Sequence, residues 1–250
     1  MRIRTGYSFR SAVGMLEPVM EAVKQSGMPF APITDRASVF GFVKWAKLCE
    51  KEGLNPVFGI ELAVSENPQA KKPVFDHWTF IAKDSLEPIF EILETATRQF
   101  RYEPVLSYEQ ALACDAIKVL GRNTRLDQVD PTDPDVYIGL SPSLSAGQFK
   151  AASELDFKFM ATSDNMYPMS DDRELYEVVC GRGANIQTYP QYILNQEEWR
   201  HNLCRGLQGA DMDLAWGNLL ARGNEVSARL KMGVMLVPEK PETLEAMCRS

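Results

Sequence analysis

The 250-residue chain is 45% apolar and 24% charged, a composition that supports one substantial core and no more than one or two domains. Its formal charge of -7, from 34 acidic and 27 basic side chains, excludes a global basic footprint for nucleic acid and leaves room only for a local basic pocket. With two histidines, His77 and His201, and five scattered cysteines that show neither CxxC nor zinc-ligand spacing, it can hardly build a dedicated multinuclear transition-metal site.

Residues 1–5, MRIRT, alternate as a strand with Arg2 and Arg4 on one face, which is either a solvated edge or a polar pocket. MRIRTGYSF contains no hydrophobic stretch of signal type, and no apolar run reaches the roughly 18 residues of a membrane span; a cytoplasmic protein without membrane contact is expected. Leu16, Val19, Met20 and Val23 share a helical face that Gly27 terminates. FAPITD reads as a short buried strand ending at Asp35. A helix over 38–52 follows, capped by Ser38, with Val39, Val43, Ala46 and Cys49 as its apolar stripe, broadened by Phe40, Phe42, Trp45 and Leu48. Gly53 stops it, and 57–64 form a second buried strand. Two strands joined by one helix make a crossover unit of a parallel sheet, and Asp35 and Glu61 then face the same carboxyl-end rim. Glu61 shares a face with Val57, Gly59 and Ala63, so its charge demands a partner.

VFDHWTFIAKD is a further strand with His77, Thr79 and Ile81 on one side, and the helix after it buries Leu86, Ile89, Phe90 and Leu93. SYEQALAC reads as a short helix, AIKVLG as a strand, RNTRLDQVDPTDPD as a loop, VYIGL as a strand and SAGQFKAASELD as a helix. FKFMATSD is the strand that delivers Asp164 to the rim of Asp35. A helix capped near Ser170 or Asp171 ends at Cys180, an arm leads to a short helix carrying His201 on its surface, and 213–233 contain two helical pieces. Cys180 reads as core, because no histidine lies near it in sequence, and the four dispersed tryptophans read as packing. The alternation argues an α/β barrel or open α/β sheet, with no internal repeat, G-x-G-x-x-G or P-loop.

Six features occur in order: Tyr7-Ser8, Thr34-Asp35 before VFG, the strand with Glu61, HWTFIAKD from His77 to Asp84, ATSD ending at Asp164 with Tyr167, and GNEVSARLKMGVMLVP. Together they make the chain resemble the PHP (polymerase and histidinol phosphatase) domain family, most of all the amino-terminal PHP domain of the bacterial DNA polymerase III alpha subunit. The resemblance spans essentially the whole chain. It implies a distorted seven-stranded β/α (TIM-like) barrel of PHP type, whose rim of histidines and carboxylates binds up to three metal ions that activate water and stabilise phosphoryl charge. It also implies a PHP-like domain over 1–236 and, over 237–250, an extension or linker toward a polymerase region.

By that resemblance Asp35, Glu61, His77 and Asp164 stand where the family has ligands. Arg2 and Arg4 replace the paired histidines of the first strand, Arg36 the histidine of a T-D-H triplet, and Met166 the histidine after the last aspartate. VYIGLSPS offers no cysteine or histidine. Arginine has no lone pair to give, repels cations and fits carboxylates in two-pronged fashion. The expected site is an ion-pair network of Arg2, Arg4 and Arg36 with vestigial Asp35, Glu61, His77 and Asp164, with no metal cofactor and no catalytic residue. The expected role is a non-catalytic PHP-like domain of a DNA polymerase III alpha subunit or a paralogue, structural or protein-binding in DNA replication, with a polymerase region or replisome protein as partner. Two alternatives stay open. One is a metal-dependent phosphoesterase or 3'-5' exonuclease using Mg, Mn or Zn on the four vestigial positions. The other is phosphate or single-strand end binding by the three arginines, with any DNA contact local.

Overall fold

The computed structural model describes residues 2–100, 102–181, 186–203, 207 and 209–230. The first helix, α1 (Leu16–Gln25), buries Leu16, Val19, Met20 and Val23 along one stripe, and the chain turns after it at Gly27, whose φ of 74° suits glycine. β1 (Phe30–Ile33), α2 (Phe42–Glu52) and β2 (Asn55–Ser65) form the expected crossover, with β1 and β2 parallel and Pro32 opposite Val57. The helix starts later than Ser38 because residues 35–37 still follow β2. Glu61 N donates to Asp35 O at 3.0 Å, Ala37 N donates to Glu61 O at 2.9 Å, and the chain leaves through Ala37 at φ 50°. The stripe accordingly runs through Phe42, Trp45 and Cys49, and Phe40 and Val43 are exposed. Gly53, at φ 69°, ends α2 with Leu54 N donating to Cys49 O at 3.0 Å.

β3 (Asp76–Ile81) runs antiparallel to β2 with Thr79 opposite Glu61. Gly59 is required at this contact, since a Cβ there would stand 2.5 Å from the Phe80 carbonyl oxygen. α3 (Glu87–Arg98) buries Ile89, Ile92 and Ala96; Phe90, expected on that face, is 43% exposed because the face is rotated toward Ile92. β4 (Val105–Ser107), a strand of three residues absent from the sequence reading, pairs parallel with the end of β2. Ser107 then caps α4 (Tyr108–Ala113) in a reciprocal box with Gln110. β5 (Ile117–Leu120), β6 (Val136–Leu140), α5 (Ala146–Glu154) and β7 (Phe159–Ala161) complete the sheet.

The seven strands lie in the order β1-β2-β3-β5-β6-β7, with β4 beside β2. β3 is antiparallel to both neighbours and the other pairs are parallel, so the sheet is mixed. It curls into an open half-barrel of the distorted, TIM-like PHP type. Residues 2–5 form no ladder strand; they span the opening between the ends of β1 and β7. Ile3 exchanges bonds with Thr34, its N donating to Oγ1 at 2.8 Å and its O accepting from Thr34 N at 2.7 Å, while Arg4 N donates to Asn165 Oδ1 at 3.2 Å.

α6 (Arg173–Cys180) packs Tyr176 and Cys180 against Val13 and Tyr167. α7 (Gln196–Leu203) buries Trp199, whose Nε1 donates to Thr162 O at 2.9 Å, and leaves His201 exposed. α8 (Met212–Glu225) is one helix and not two pieces, because it lies along β7 with Asn218 Nδ2 donating to Phe159 O at 2.8 Å. All four tryptophans are buried. The expected extension over 237–250, Cys204 and Cys248 fall outside the described residues, among which no helix is long and apolar enough to cross a membrane.

Candidate functional site

Segment 2–5, β2, β3 and the stretch after β7 converge at one end of the half-barrel, where they line a pocket of about 260 Å³. Arg2, Arg4, Arg36, Glu61, His77, Asp164 and Met166 all line it. Arg2 and Arg4 are 9% and 6% exposed, so their face is no solvated edge. Arg2 Nη1 donates to Asp164 Oδ1 at 2.8 Å, and Nε donates to Thr79 Oγ1 at 3.1 Å and lies 3.4 Å from Glu61 Oε2. Arg4 Nη2 donates to Glu61 Oε2 at 2.6 Å, and Nη1 donates to Asn165 O at 3.1 Å and to Met166 Sδ at 3.5 Å. Glu61 has the partner that its apolar face demanded, and it has two.

Asp35 stands apart from these pairs. Its carboxylate accepts from Thr5 N at 2.6 Å, Thr5 Oγ1 at 2.8 Å and Ser8 Oγ at 2.6 Å, and Ser8 Oγ in turn accepts from Arg36 N at 3.0 Å. The Tyr7-Ser8 pair noted in the sequence thus supplies one wall of a hydroxyl cradle. Arg36 turns instead to Glu103, with Nη2 donating to Oε1 and Oε2 at 3.1 and 2.9 Å, and it also contacts His77 Nε2. His77 Nε2 lies 3.2 Å from Glu103 Oε2. Glu103 lies two residues before β4 and carries no motif, so sequence reasoning had no handle on it. Asp76, at the start of β3, also lines the pocket and accepts from Trp78 Nε1 at 3.1 Å and from Asn123 N at 3.3 Å.

Burial and partner charge compete at each carboxylate. Burial pushes Glu61 up, but the guanidinium groups of Arg4 and Arg2 outweigh it and hold the carboxyl down at about 2. Asp164 and Glu103 are likewise lowered against burial, the first by Arg2 and Arg4 and the second by His77 and Arg36. At Asp35, burial wins over the hydrogen bonds from Ser8 and Thr5 and raises the carboxyl above its ordinary value. Burial also drives the Cys49 and Cys114 thiols up to about 12 and about 11, which leaves them inert.

The family resemblance implies metal ions at this rim, and the residues present do not fit them. Glu61 and Asp164 are taken up by arginines, Asp35 by Thr5 and Ser8, and His77 faces Arg36 and Glu103. Among the described residues, no group of three His, Cys, Asp or Glu side chains could hold a metal ion.

The PHP domain family model matches residues 1–129, from the arginines of the opening segment through Glu103, while Asp164 and Met166 lie beyond the match. Among curated proteins, the DNA polymerase III alpha subunit of Borreliella burgdorferi is 22% identical over 244 residues, covering 79% of this chain and 21% of the polymerase. The subunits of Rickettsia conorii and Rickettsia felis are 29% identical over 84 residues, 34% of this chain and 7% of each polymerase. The chain therefore spans about a fifth or less of the length of these relatives. A crystal structure of a Bifidobacterium adolescentis protein superposes with a TM-score of 0.50 at 14% identity, over 83% of this chain and 96% of that one, a likeness of fold. With just over half of its length matched by the family model and a half-barrel of the same type, the chain belongs to the PHP domain family and is a distant relative of DNA polymerase III alpha subunits.

Proposed function

We propose that this chain is a non-catalytic PHP domain of the DNA polymerase III alpha lineage, in which a buried guanidinium and carboxylate network stands in place of the metal cluster. Its role is then structural or protein-binding in DNA replication, in the cytoplasm, with a polymerase region or replisome protein as partner. Residues 1–236 form the domain and 237–250 a linker toward such a region. The observation that carries the reading is the grip of Arg4 on Glu61 at 2.6 Å and of Arg2 on Asp164 at 2.8 Å. These guanidiniums supply the positive charge and the directed bonds that buried carboxylates need, so a cation entering the rim would have to displace a buried guanidinium from its carboxylate. Arg36, paired with Glu103, extends the network, Asp35 and His77 are vestigial positions, and Met166 fills a ligand position with a sulfur too soft for Mg²⁺ or Mn²⁺.

Elemental analysis after dialysis against trace Mn²⁺ and Zn²⁺ tests this reading. We expect near-zero stoichiometry and a thermal midpoint that added metal leaves unchanged. One or more tightly held ions per chain would overturn it and return attention to phosphoesterase or 3'-5' exonuclease chemistry.

A further inference from the structure

We infer that the solvent-facing side of α2 and α3 is a docking surface for a second copy of this chain, in a twofold dimer that sets α2 of each copy against α3 of the other. Both helices pack on β2, and they meet where the Phe42 and Phe90 rings lie 6.4 Å apart. Around that meeting point Phe40, Val43 and Phe90 are 81%, 47% and 43% exposed, large apolar side chains left open to water. The charges beside them are sorted by sign. The exposed residues of α2 include Lys44, Lys47 and Lys51 against one acid, Glu50, whereas those of α3 include Glu87, Glu91 and Glu94 against one base, Arg98. Helical spacing gathers each set into a stripe.

On other helices the exposed cations pair within their own helix, Lys150 with Glu154, Arg173 with Glu177 and Arg222 with Glu225. Among the described residues, Lys44, Lys47, Lys51, Glu87 and Glu91 enter no ion pair, and Glu94 pairs with Arg98 at 2.5 Å. A partner of one sign would suit one stripe and be repelled by the other. A second copy suits both, because a twofold axis through the apolar centre that bisects the two stripes lays each basic stripe on the other copy's acidic one. Helices of 11 and 12 residues are about 17 Å long, so the paired faces stand at the small end of specific interfaces. A reversible dimer with a dissociation constant on the order of 10 μM is the expected form.

The test is sedimentation equilibrium of the full chain at concentrations up to about 200 μM, with two charge-reversed variants, Lys44→Glu/Lys47→Glu and Glu91→Lys/Glu94→Lys. All four positions are exposed, so the fold is kept, which the thermal midpoints check. We expect the wild type to dimerise, and to do so less at high salt. Each reversed variant alone places like charges at both contacts and should dimerise at least about tenfold more weakly. An equimolar mixture of the two should regain the wild-type affinity, since a mixed dimer restores opposite signs at both contacts. Phe40→Ser, which touches no charge, should weaken the dimer about tenfold and keeps the test decisive if a reversed variant is unstable. A wild type that stays monomeric at the highest concentration overturns the proposal. So do variants that dimerise as well as the wild type, or folded reversed variants whose mixture does not regain affinity.

Discussion

Glu61 on β2 and Asp35 just beyond β1 are each 1% exposed and joined by a backbone hydrogen bond of 3.0 Å, so burial treats them alike. Their partners differ. Glu61 is held by two guanidinium groups and stays ionised down to about 2, whereas Asp35 is held by two hydroxyls and an amide, and its carboxyl rises above the ordinary value. Neutral donors satisfy lone pairs without repaying the cost of burying a charge, and cations do both. The comparison separates two jobs within one rim: Asp35 organises the chain around residues 5–8, and Glu61 anchors charge.

Glu61→Gln breaks the comparison most severely, because it leaves Arg4 buried without its carboxylate. We expect a loss of about 3–5 kcal/mol, read as a lower urea midpoint with unchanged slope. Acid sharpens the contrast next. Glu61 is lowered in the folded state, so its stabilisation is complete above the ordinary 4.5 and is lost as pH falls through about 2. Asp35 is raised, so its contribution has the opposite sign: it is present below the ordinary 3.8 and is lost as pH rises through the folded value. Urea midpoints of the wild type should fall steeply below pH 4.5, and those of Asp35→Asn should fall more steeply, because the compensating group is gone. The smallest effect is that of Asp35→Asn at neutral pH. An amide can still accept from Thr5 N and Ser8 and donate to Thr5 Oγ1, and it carries no charge to bury, so we expect a stability within about 1 kcal/mol of the wild type in the same denaturation experiment.

Much of this architecture was legible in the chain. The crossover from β1 to β2 followed from two short apolar runs around an amphipathic helix closed by Gly53, and the arginines were marked by their alternation around Ile3. What escaped was set by tertiary contact. The start of α2 moved because residues 35–37 pair with β2, which no local pattern records. β4 is three residues long and owes its existence to the edge of β2. At the site, Arg2, Arg4 and Arg36 were all expected beside the carboxylates, yet Arg36 found Glu103 from a loop without periodicity, and Asp35 was drawn away by Thr5 and Ser8. Residue type predicted which charges would need partners; only the fold decided which partner each one took.

The segment that spans the opening of the half-barrel also fixes an order of events during synthesis. Arg2 and Asp164 are 162 residues apart, so at roughly 5–20 residues per second the first guanidinium waits on the order of ten to thirty seconds for its carboxylate to be made. Until then β1 is a bare strand edge, with Arg2 and Arg4 on the neighbouring segment, and charge beside an open edge discourages pairing with other chains. The same two arginines that pair across the rim in the folded chain thus flank an open strand end before Asp164 is made.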